Sequence, residues 1–438
     1  MLVQITSSQK KSGVNFFPCD FSCLGRPRDK GPLNVCFALF SPSPSPLISC
    51  GMCTVLVTGG TGFFGHNLVS ELLTDDRVQS IRVYARHAAP TEYKLSGYGD
   101  DGFPPTGMGE EPCERDDRVL QSHRANAIFS HPKVTCYQGD ITDKVALRTA
   151  MEGCTVVFHA CGDTRWWNAV ERQQGMTNVG GTIAAVDLAM ATPSVKRFVY
   201  TSTVDVMGTG NGELLYETDE GIPFDYNYAV TKSMAENMVR YRAVAKDLRP
   251  DLRITVIRPG SMIGPWDVTN QYGRLFYQLK WGSILGVPCG GTSVCHVQDV
   301  ARAHIAAAFA PSLEHVVYVC AGMNVTYRHL FRTMRSYLKD YADGKISKTS
   351  RIGPCCVPCE VMPETLLVAY GWLCEVYSNR VSGTEPEVNP GMARYLSKLA
   401  YFVSPRAEEE LGYPSQSEGR WLDAIKESYE WYRVRGRV

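Results

Sequence analysis

Tyr228 and Lys232 stand four residues apart in Tyr228-Ala229-Val230-Thr231-Lys232. On a helix, positions i and i+4 share one face, so a phenol and an ammonium meet there. A neighbouring cation stabilises phenolate, so Lys232 is expected to lower the pKa of Tyr228 toward the range where proton transfer works. Upstream, Tyr200-Thr201-Ser202-Thr203-Val204 offers hydroxyls that could polarise a substrate oxygen together with Tyr228. Such a set moves a proton and needs a partner that carries electrons. The same spacing recurs at Tyr341 and Lys345, but Asp343-Gly344 interrupts it, and that copy reads as a loop.

The electron carrier has its own signature in Thr58-Gly59-Gly60-Thr61-Gly62-Phe63-Phe64-Gly65. Gly59 permits a tight turn, Gly62 lets backbone approach a pyrophosphate, and Gly65 lets helix and strand pack closely. The following helix, with Leu68, Val69, Leu72 and Leu73 on one side, directs free N–H groups at the phosphates. Thr61, Phe63 and Phe64 belong to the same turn. At the end of the second strand, the place of an acid that would bind the ribose 2′-hydroxyl of NAD is taken by Ala85, and Arg86 follows. A guanidinium without an opposing acid suits a 2′-phosphate, so NADP is expected over NAD. Two further strand ends should line this crevice: Gly139-Asp140-Ile141 and His159-Ala160-Cys161. Asp140 is placed either to accept from an adenine amino group or to cap the next helix near Thr142. His159 is expected to pack beside the cofactor, since no second ligand lies at zinc spacing.

The elements that must hold these groups alternate between strand and helix. Strands are expected at Thr54–Thr58, Ile81–Ala85, Val134–Gln138, Val156–Ala160, Arg197–Thr201 and Ile254–Arg258, with helices at His66–Leu73, Asp143–Met151, Asn178–Ala191 and Tyr228–Lys246. Their continuous apolar runs suit strands buried on both faces. The fold class is therefore α/β, a doubly wound parallel sheet of Rossmann type with a smaller C-terminal substrate-binding lobe. Three regions follow: residues 1–51 as a disordered or targeting extension, 52–262 as the NAD(P)-binding domain, and 263–438 as the substrate lobe. Residues 87–132, rich in Gly, Pro and acids, read as a long mobile insertion. Met52 is an alternative start.

Composition narrows the class. Lys+Arg and Asp+Glu are each 45 and the net charge is zero, which argues against a nucleic-acid or anionic-membrane binder. The longest apolar runs, Leu33–Phe40 and Thr365–Val376, are too short to span a bilayer and read as buried segments. Among 16 cysteines, the pairs Cys50/Cys53 and Cys356/Cys359 could form a four-thiolate zinc site, but reduced inert thiols in a cytoplasmic protein are the preferred reading, with no metal. Organelle targeting by residues 1–51 stays open.

Thr58–Gly65, Tyr200–Gly208, Tyr228–Lys232, Arg258-Pro259-Gly260 and His296-Val297-Gln298-Asp299-Val300-Ala301 resemble successive motifs of the extended short-chain dehydrogenases/reductases of the NAD-dependent epimerase/dehydratase superfamily. Within them, the dihydroflavonol reductase, 3β-hydroxysteroid dehydrogenase and hopanoid-associated epimerase-like subgroup is the most similar. The resemblance runs from about Thr54 to Ala407-Glu408-Glu409-Glu410-Leu411-Gly412-Tyr413. It implies that Thr203, where the family often has Ser, is the active-site hydroxyl with Ser202 beside it. It also implies that Asn178 lies near the active site and Pro259 beside the nicotinamide. In the implied reaction Tyr228 exchanges a proton with a substrate oxygen, Lys232 holds the nicotinamide ribose and tunes Tyr228, and Thr203 orients the oxygen.

The substrate should be a small molecule held between the C-terminal lobe and the loop after the fourth strand, which carries Arg165-Trp166-Trp167. Met207, Phe224 and Tyr226 are expected at the pocket, and Trp266 and Phe276 as well. An aromatic, apolar lining suits a steroid, flavonoid or aryl carbonyl better than a charged nucleotide-sugar. Two alternatives remain open from sequence: a nucleotide-sugar epimerase or dehydratase, and a non-catalytic NADP-binding redox sensor. A homodimer is compatible with all three.

Overall fold

The computed structural model describes residues 53–86, 128–244, 249–268, 272–281, 284, 286–342 and 361–434. The N-terminal extension and most of the 87–132 insertion lie outside the described residues, as do Leu33–Phe40, Cys50, Lys345, Cys356 and Cys359.

The chain opens with strand β1 (Cys53–Thr58), helix α1 (Phe63–Leu73) and strand β2 (Val78–Ala85). Then come β3 (Val134–Gln138), α2 (Lys144–Met151), β4 (Val156–His159), α3 (Thr182–Ala191) and β5 (Arg197–Thr201). After α4 (Asn227–Val244) follow β6 (Arg253–Pro259) and a short β7 (Ser261–Ile263). The C-terminal part supplies α5 (Gly273–Trp281), β8 (Gly291–His296), α6 (Val297–Phe309), β9 (Val317–Cys320), β10 (Met323–Thr326) and α7 (Tyr327–Ala342). It ends with α8 (Glu364–Tyr377), α9 (Pro390–Leu396) and α10 (Glu418–Val434).

Seven strands form one sheet in the order β9-β6-β5-β4-β1-β2-β3, and every neighbouring pair is parallel. The chain winds outward from β1 in both directions, so the order reverses there. The gap above that reversal is where doubly wound sheets bind ligands. The interior strands β4 and β5 are buried along their whole length, as continuous apolar runs demand when helices cover both faces. A second sheet, β10-β8-β7, belongs to the C-terminal part.

The expected boundary at residue 262 is crossed by the main sheet. Its seventh strand, β9, comes from Val317–Cys320 and pairs with β6, while α6 packs back on α1. A parallel strand can join an edge only after a crossover, and α6 is that crossover. The helix expected at Asn178–Ala191 also begins differently. An α-helical turn at Glu171–Gly175 leads through a π-helical turn at Met176–Gly181 into α3. Two residues of the 87–132 insertion's border, Ile128 and Phe129, are buried, with Phe129 edge-on to His66 at 4.7 Å. That border is core rather than surface.

The run Thr365–Val376 is not a buried segment. It lies in α8, where Leu367 and Gly371 face inward while Leu366, Trp372 and Leu373 are exposed. A Cβ at Gly371 would come within 2.7 Å of the Asn389 backbone, so α8 presses on the chain leading into α9 with its small side. No described helix is long and apolar enough to cross a membrane.

Candidate active site

Parallel pairing brings the carboxyl ends of β1, β4, β5 and β6 to one edge. Gly59–Gly65, Ala160-Cys161, Ser202-Thr203 and Pro259 therefore gather there. Gly59 has φ +71°, and a Cβ on it would lie 2.8 Å from Cys161 Cα, so the turn nests against the end of β4. A Cβ on Gly65 would strike the Gly59 carbonyl and approach Gly60 Cα to 2.5 Å. Gly62 is different. A Cβ there would meet only the Gly59 carbonyl oxygen, at 3.3 Å. No side chain caps the α1 N-terminus at Gly62, and the first turn of α1 holds no acid. An uncapped N-terminus beside an open glycine fits the phosphates of a dinucleotide. Leu68, Val69 and Leu72 are fully buried beneath it. Each contributes about 1.5–3 kcal/mol to holding the helix in place.

Phe63 and Phe64 are buried rather than displayed, and Phe64 lies 4.6 Å from the His304 ring. Thr61 is half-buried in the turn. Arg86 is exposed just past the end of β2. Asp140, also exposed, accepts from the Thr142 N–H at 2.9 Å and from the Thr142 hydroxyl at 2.6 Å, which hold its carboxyl below the usual range. The helix cap is a different residue: Asp143 accepts from Val145 and Ala146 at the start of α2. Ile141 is buried, and a Cβ on Gly181 would come within 2.6 Å of its side chain. Cys161 is a free thiol that burial pushes up to about 11. His159 is fully buried between two hydroxyls, Thr58 at 2.8 Å and Thr182 at 3.0 Å, and burial lowers its pKa to about 3. Its role in the structure is to bridge β1 to α3. Among the described residues, no group of three or more His, Cys, Asp or Glu side chains could hold a metal.

Tyr228 and Lys232 lie on the inner face of α4. Lys232 is 4% exposed. Its Nζ donates to the Thr201 carbonyl at 2.7 Å and sits 4.4 Å from the centroid of the Tyr200 ring. Burial lowers its pKa to about 7, against an opposing contribution from Glu236. The expected depression of the Tyr228 pKa is not found. Burial raises it, the charge of Asp205 raises it further, and a hydrogen bond with Thr203 opposes both. With the ammonium turned to the Thr201 carbonyl, desolvation of the phenol dominates.

The two candidate hydroxyls separate cleanly. Ser202 Oγ donates to Glu236 at 2.6 Å. Glu236 is held by Arg258 through contacts of 2.5–3.2 Å, in a buried ion pair one helical turn beyond Lys232. Thr203 is the hydroxyl that reaches Tyr228, and it also accepts from the Asp205 N–H at 3.2 Å. Asn178, inside the π-helical turn, donates to Thr231 on α4 at 3.0 Å and accepts from the Asp163 N–H at 2.7 Å. The widened turn aims this amide at the loop after β4, a common use of π-bulges.

Sequence reasoning missed His304. Its Nδ1–H donates to the Val300 carbonyl at 2.8 Å, so Nε2 accepts from the Thr201 hydroxyl at 2.9 Å, and Thr201 in turn receives Lys232. It also missed Tyr395, Asp205 and the Glu236–Arg258 pair, since partners so distant in sequence leave no local pattern.

Next to Tyr228 stands an aromatic wall. Tyr226 lies 6.3 Å from the Tyr228 ring, and Trp166 stacks on Tyr226 at 4.1 Å. Phe224 and Tyr395 complete it, at 5.9 and 5.6 Å from Tyr226. The loop carrying Trp166 is tied to the C-terminal part: Trp166 N–H donates to Glu385 at 2.7 Å and Trp167 Nε1–H to Asn379 at 2.9 Å. Two expected pocket residues lie elsewhere. Trp266 is buried, stacked on His66 at 5.2 Å, and Phe276 is core between Tyr429 and Tyr432. Met207 is buried in a cluster with Leu215, Val319 and Phe402, against which the wall residue Phe224 packs. Trp266 and Phe276 sit where apolar burial is largest, and spacing alone does not separate such positions from a cleft.

The model of the NAD dependent epimerase/dehydratase family matches residues 55–321, more than half of the chain. An uncharacterized protein y4nG of Sinorhizobium fredii is 26% identical, over 87% of this chain and 79% of its own. A putative dihydroflavonol 4-reductase of Synechocystis is 23% identical, over 87% and 95%. A 3 beta-hydroxysteroid dehydrogenase/Delta 5-->4-isomerase of Mycobacterium tuberculosis is 29% identical, over about half (52%) of each chain. The fold is shared with the solved structure of gox2253, with a TM-score of 0.61, 23% identity, and coverage of 88% of this chain and 99% of that one. It is also shared with the dTDP-glucose 4,6-dehydratase DesIV of Streptomyces venezuelae, solved with NAD bound, at TM-score 0.59, 20% identity, and coverage of 87% and 98%. The chain belongs to the NAD dependent epimerase/dehydratase family and is an NAD(P)-dependent oxidoreductase of the extended short-chain dehydrogenase/reductase type.

Proposed function

We propose that this enzyme uses NADP to interconvert a carbonyl and a secondary alcohol on an apolar substrate of steroid, flavonoid or aryl type. The observation that carries the reading is the meeting of Tyr228, Thr203 and Lys232 at the sheet edge beside the glycine turn, next to the wall of Trp166, Phe224, Tyr226 and Tyr395. The nicotinamide, when bound, supplies or accepts the hydride. Tyr228 gives its phenolic proton to the carbonyl oxygen in reduction and takes it back in oxidation. Thr203 orients that oxygen with Tyr228. Lys232, bonded to the Thr201 carbonyl, would hold the nicotinamide ribose. Gly59, Thr61, Gly62 and the Phe63–Gly65 backbone would hold the pyrophosphate. Asp140, Ile141, Ala160, Cys161 and Pro259 would frame the rest of the cofactor.

Arg86, with Ala85 in place of an acid, supports NADP over NAD. The aromatic wall supports an apolar substrate over a nucleotide-sugar, whose diphosphate would need cations there. The residues after 262, with the Trp166 loop, would form most of the substrate lobe. The described cysteines are all free thiols, which supports a cytoplasmic setting.

The test is loss of nicotinamide absorbance with NADPH and with NADH against steroid ketones, flavanonols and aryl aldehydes. Turnover that prefers NADPH is the expected result. No turnover, together with a nucleotide-sugar that raises the melting temperature, would replace this reading with an epimerase or dehydratase.

A further inference from the structure

Trp166 is the third ring of a stack that begins at Tyr228. Tyr226 lies 6.3 Å from the Tyr228 ring with the planes 23° apart, and Trp166 lies 4.1 Å from Tyr226 at 18°. Tyr228 is fixed by α4, and Tyr226 by its hydroxyl, which donates to Asp205 at 2.5 Å. Trp166 belongs to a loop, so its place in the stack has to be set from outside that loop.

Both backbone groups of Trp166 are taken by side chains from the segment leading into α9. Its N–H donates to Glu385 at 2.7 Å, and its carbonyl accepts from Asn389 Nδ2. The two holds differ. Glu385 is exposed, where water competes for the bond, whereas Asn389 is 3% exposed. Asn389 is itself fixed twice. Its Oδ1 accepts from the Met392 N–H at 2.8 Å as the N-cap of α9, and its backbone packs directly on Gly371 of α8. One amide therefore serves two ends. Oδ1 starts the helix that carries Tyr395, and Nδ2 holds the indole that lies 5.1 Å from the Tyr395 ring.

We infer that Asn389 is a positioning residue of the substrate site: it acts through the Trp166 backbone to keep that indole in the stack, and so favours multi-ring over single-ring carbonyl compounds. This rests on the reading of the aromatic wall as the substrate lining. Trp166 lies one ring farther from Tyr228 than Tyr226 does. A single-ring compound with its oxygen at Tyr228 ends near Tyr226, and a fused-ring compound extends to the indole.

The test follows Trp166 directly. Labelling with 5-fluorotryptophan gives each of the seven tryptophans a fluorine resonance, and Trp166→Phe identifies the one at 166. Asn389→Ser and Asn389→Asp keep an acceptor that caps α9 and lose the Nδ2 donor. The inference expects the Trp166 resonance to shift or broaden in both variants while the others stay in place. Asn389→Ser should melt close to the parent. If Asn389 serves only the cap, the Trp166 resonance is unmoved in both, and that result overturns the inference. Initial rates at saturating NADPH read the selection, with benzaldehyde and with a steroid ketone or flavanonol that the parent reduces. In Asn389→Ser the KM of the multi-ring compound should rise about tenfold or more, with kcat and the benzaldehyde KM within about twofold of the parent. An unchanged KM for the multi-ring compound, or a parent that reduces only benzaldehyde, overturns the inference as well. The fluorine spectra need no substrate. A parent that reduces no carbonyl would count against the proposed function, while the resonance still decides whether Asn389 holds Trp166.

Discussion

Lys232 Nζ donates to the backbone carbonyl of Thr201 at 2.7 Å, and the Thr201 hydroxyl is bonded to His304. The ammonium is thus anchored to the last residue of a central strand and not left to find Tyr228 by itself. Its folded pKa, about 7, lies below its ordinary 10.5. Between those values the unfolded chain holds the proton and the folded chain does not, so stability rises with pH through that window and is diminished below about pH 7. Lys232→Met removes this burden. It should raise the melting temperature at neutral pH by a few degrees while lowering turnover by about 10²-fold or more, as read by calorimetry and initial rates.

The glycine turn separates binding from folding. Gly65→Ala drives a methyl into the backbone of Gly59 and Gly60, so that variant should not accumulate as folded protein. Gly62→Ala meets a single carbonyl oxygen at 3.3 Å and should melt close to the parent. Its affinity for NADPH, measured by fluorescence titration, should nevertheless fall by about tenfold or more, since the methyl stands where a pyrophosphate would approach. Equal affinity in Gly62→Ala would move the cofactor away from this turn.

The proposed preference for NADP rests on Arg86, with Ala85 in place of an acid. Arg86→Ser should weaken NADPH binding by about 10- to 100-fold, the loss of one to two charge-assisted hydrogen bonds, and leave NADH nearly unchanged. Titration of both cofactors against both proteins reads this directly.

His159 and His304 are buried and neutral, with folded pKa values of about 3 and about 4 against an ordinary 6.5. As pH falls below 6.5 the unfolded chain takes up protons that the folded chain refuses. Their contribution to stability is therefore complete above about pH 6.5 and is lost on the way down to about pH 4 for His304 and about pH 3 for His159. Denaturant unfolding across that range should show stability falling with acid, and less steeply in His304→Gln than in the parent.

The expected and observed elements agree where the local pattern was strong. Val134–Gln138 and Arg197–Thr201 have the same bounds in both, because runs such as Arg197-Phe198-Val199-Tyr200-Thr201 have no other stable use. The glycine turn was legible because its needs are mostly local: Gly59 has φ +71°, and a Cβ on Gly65 would strike Gly59 and Gly60. What the sequence hid lies in pairs far apart along the chain. Ser202 and Thr203 are adjacent and chemically alike, and only Glu236 and Asp205 decide which one faces Tyr228. The Tyr228 environment was misjudged because spacing reports a charge four residues away and says nothing about burial. Trp266 and Phe276 were placed at the pocket for their size, yet large aromatics are as useful to a core.

The most direct measurement is the initial rate of NADPH oxidation by the purified protein with the best ketone or aldehyde of the panel, in parent and Tyr228→Phe side by side. The account predicts turnover in the parent and a loss of about 10²-fold or more in the variant, with NADPH affinity unchanged. A Tyr228→Phe enzyme that reduces the same carbonyl at the parental rate would contradict it.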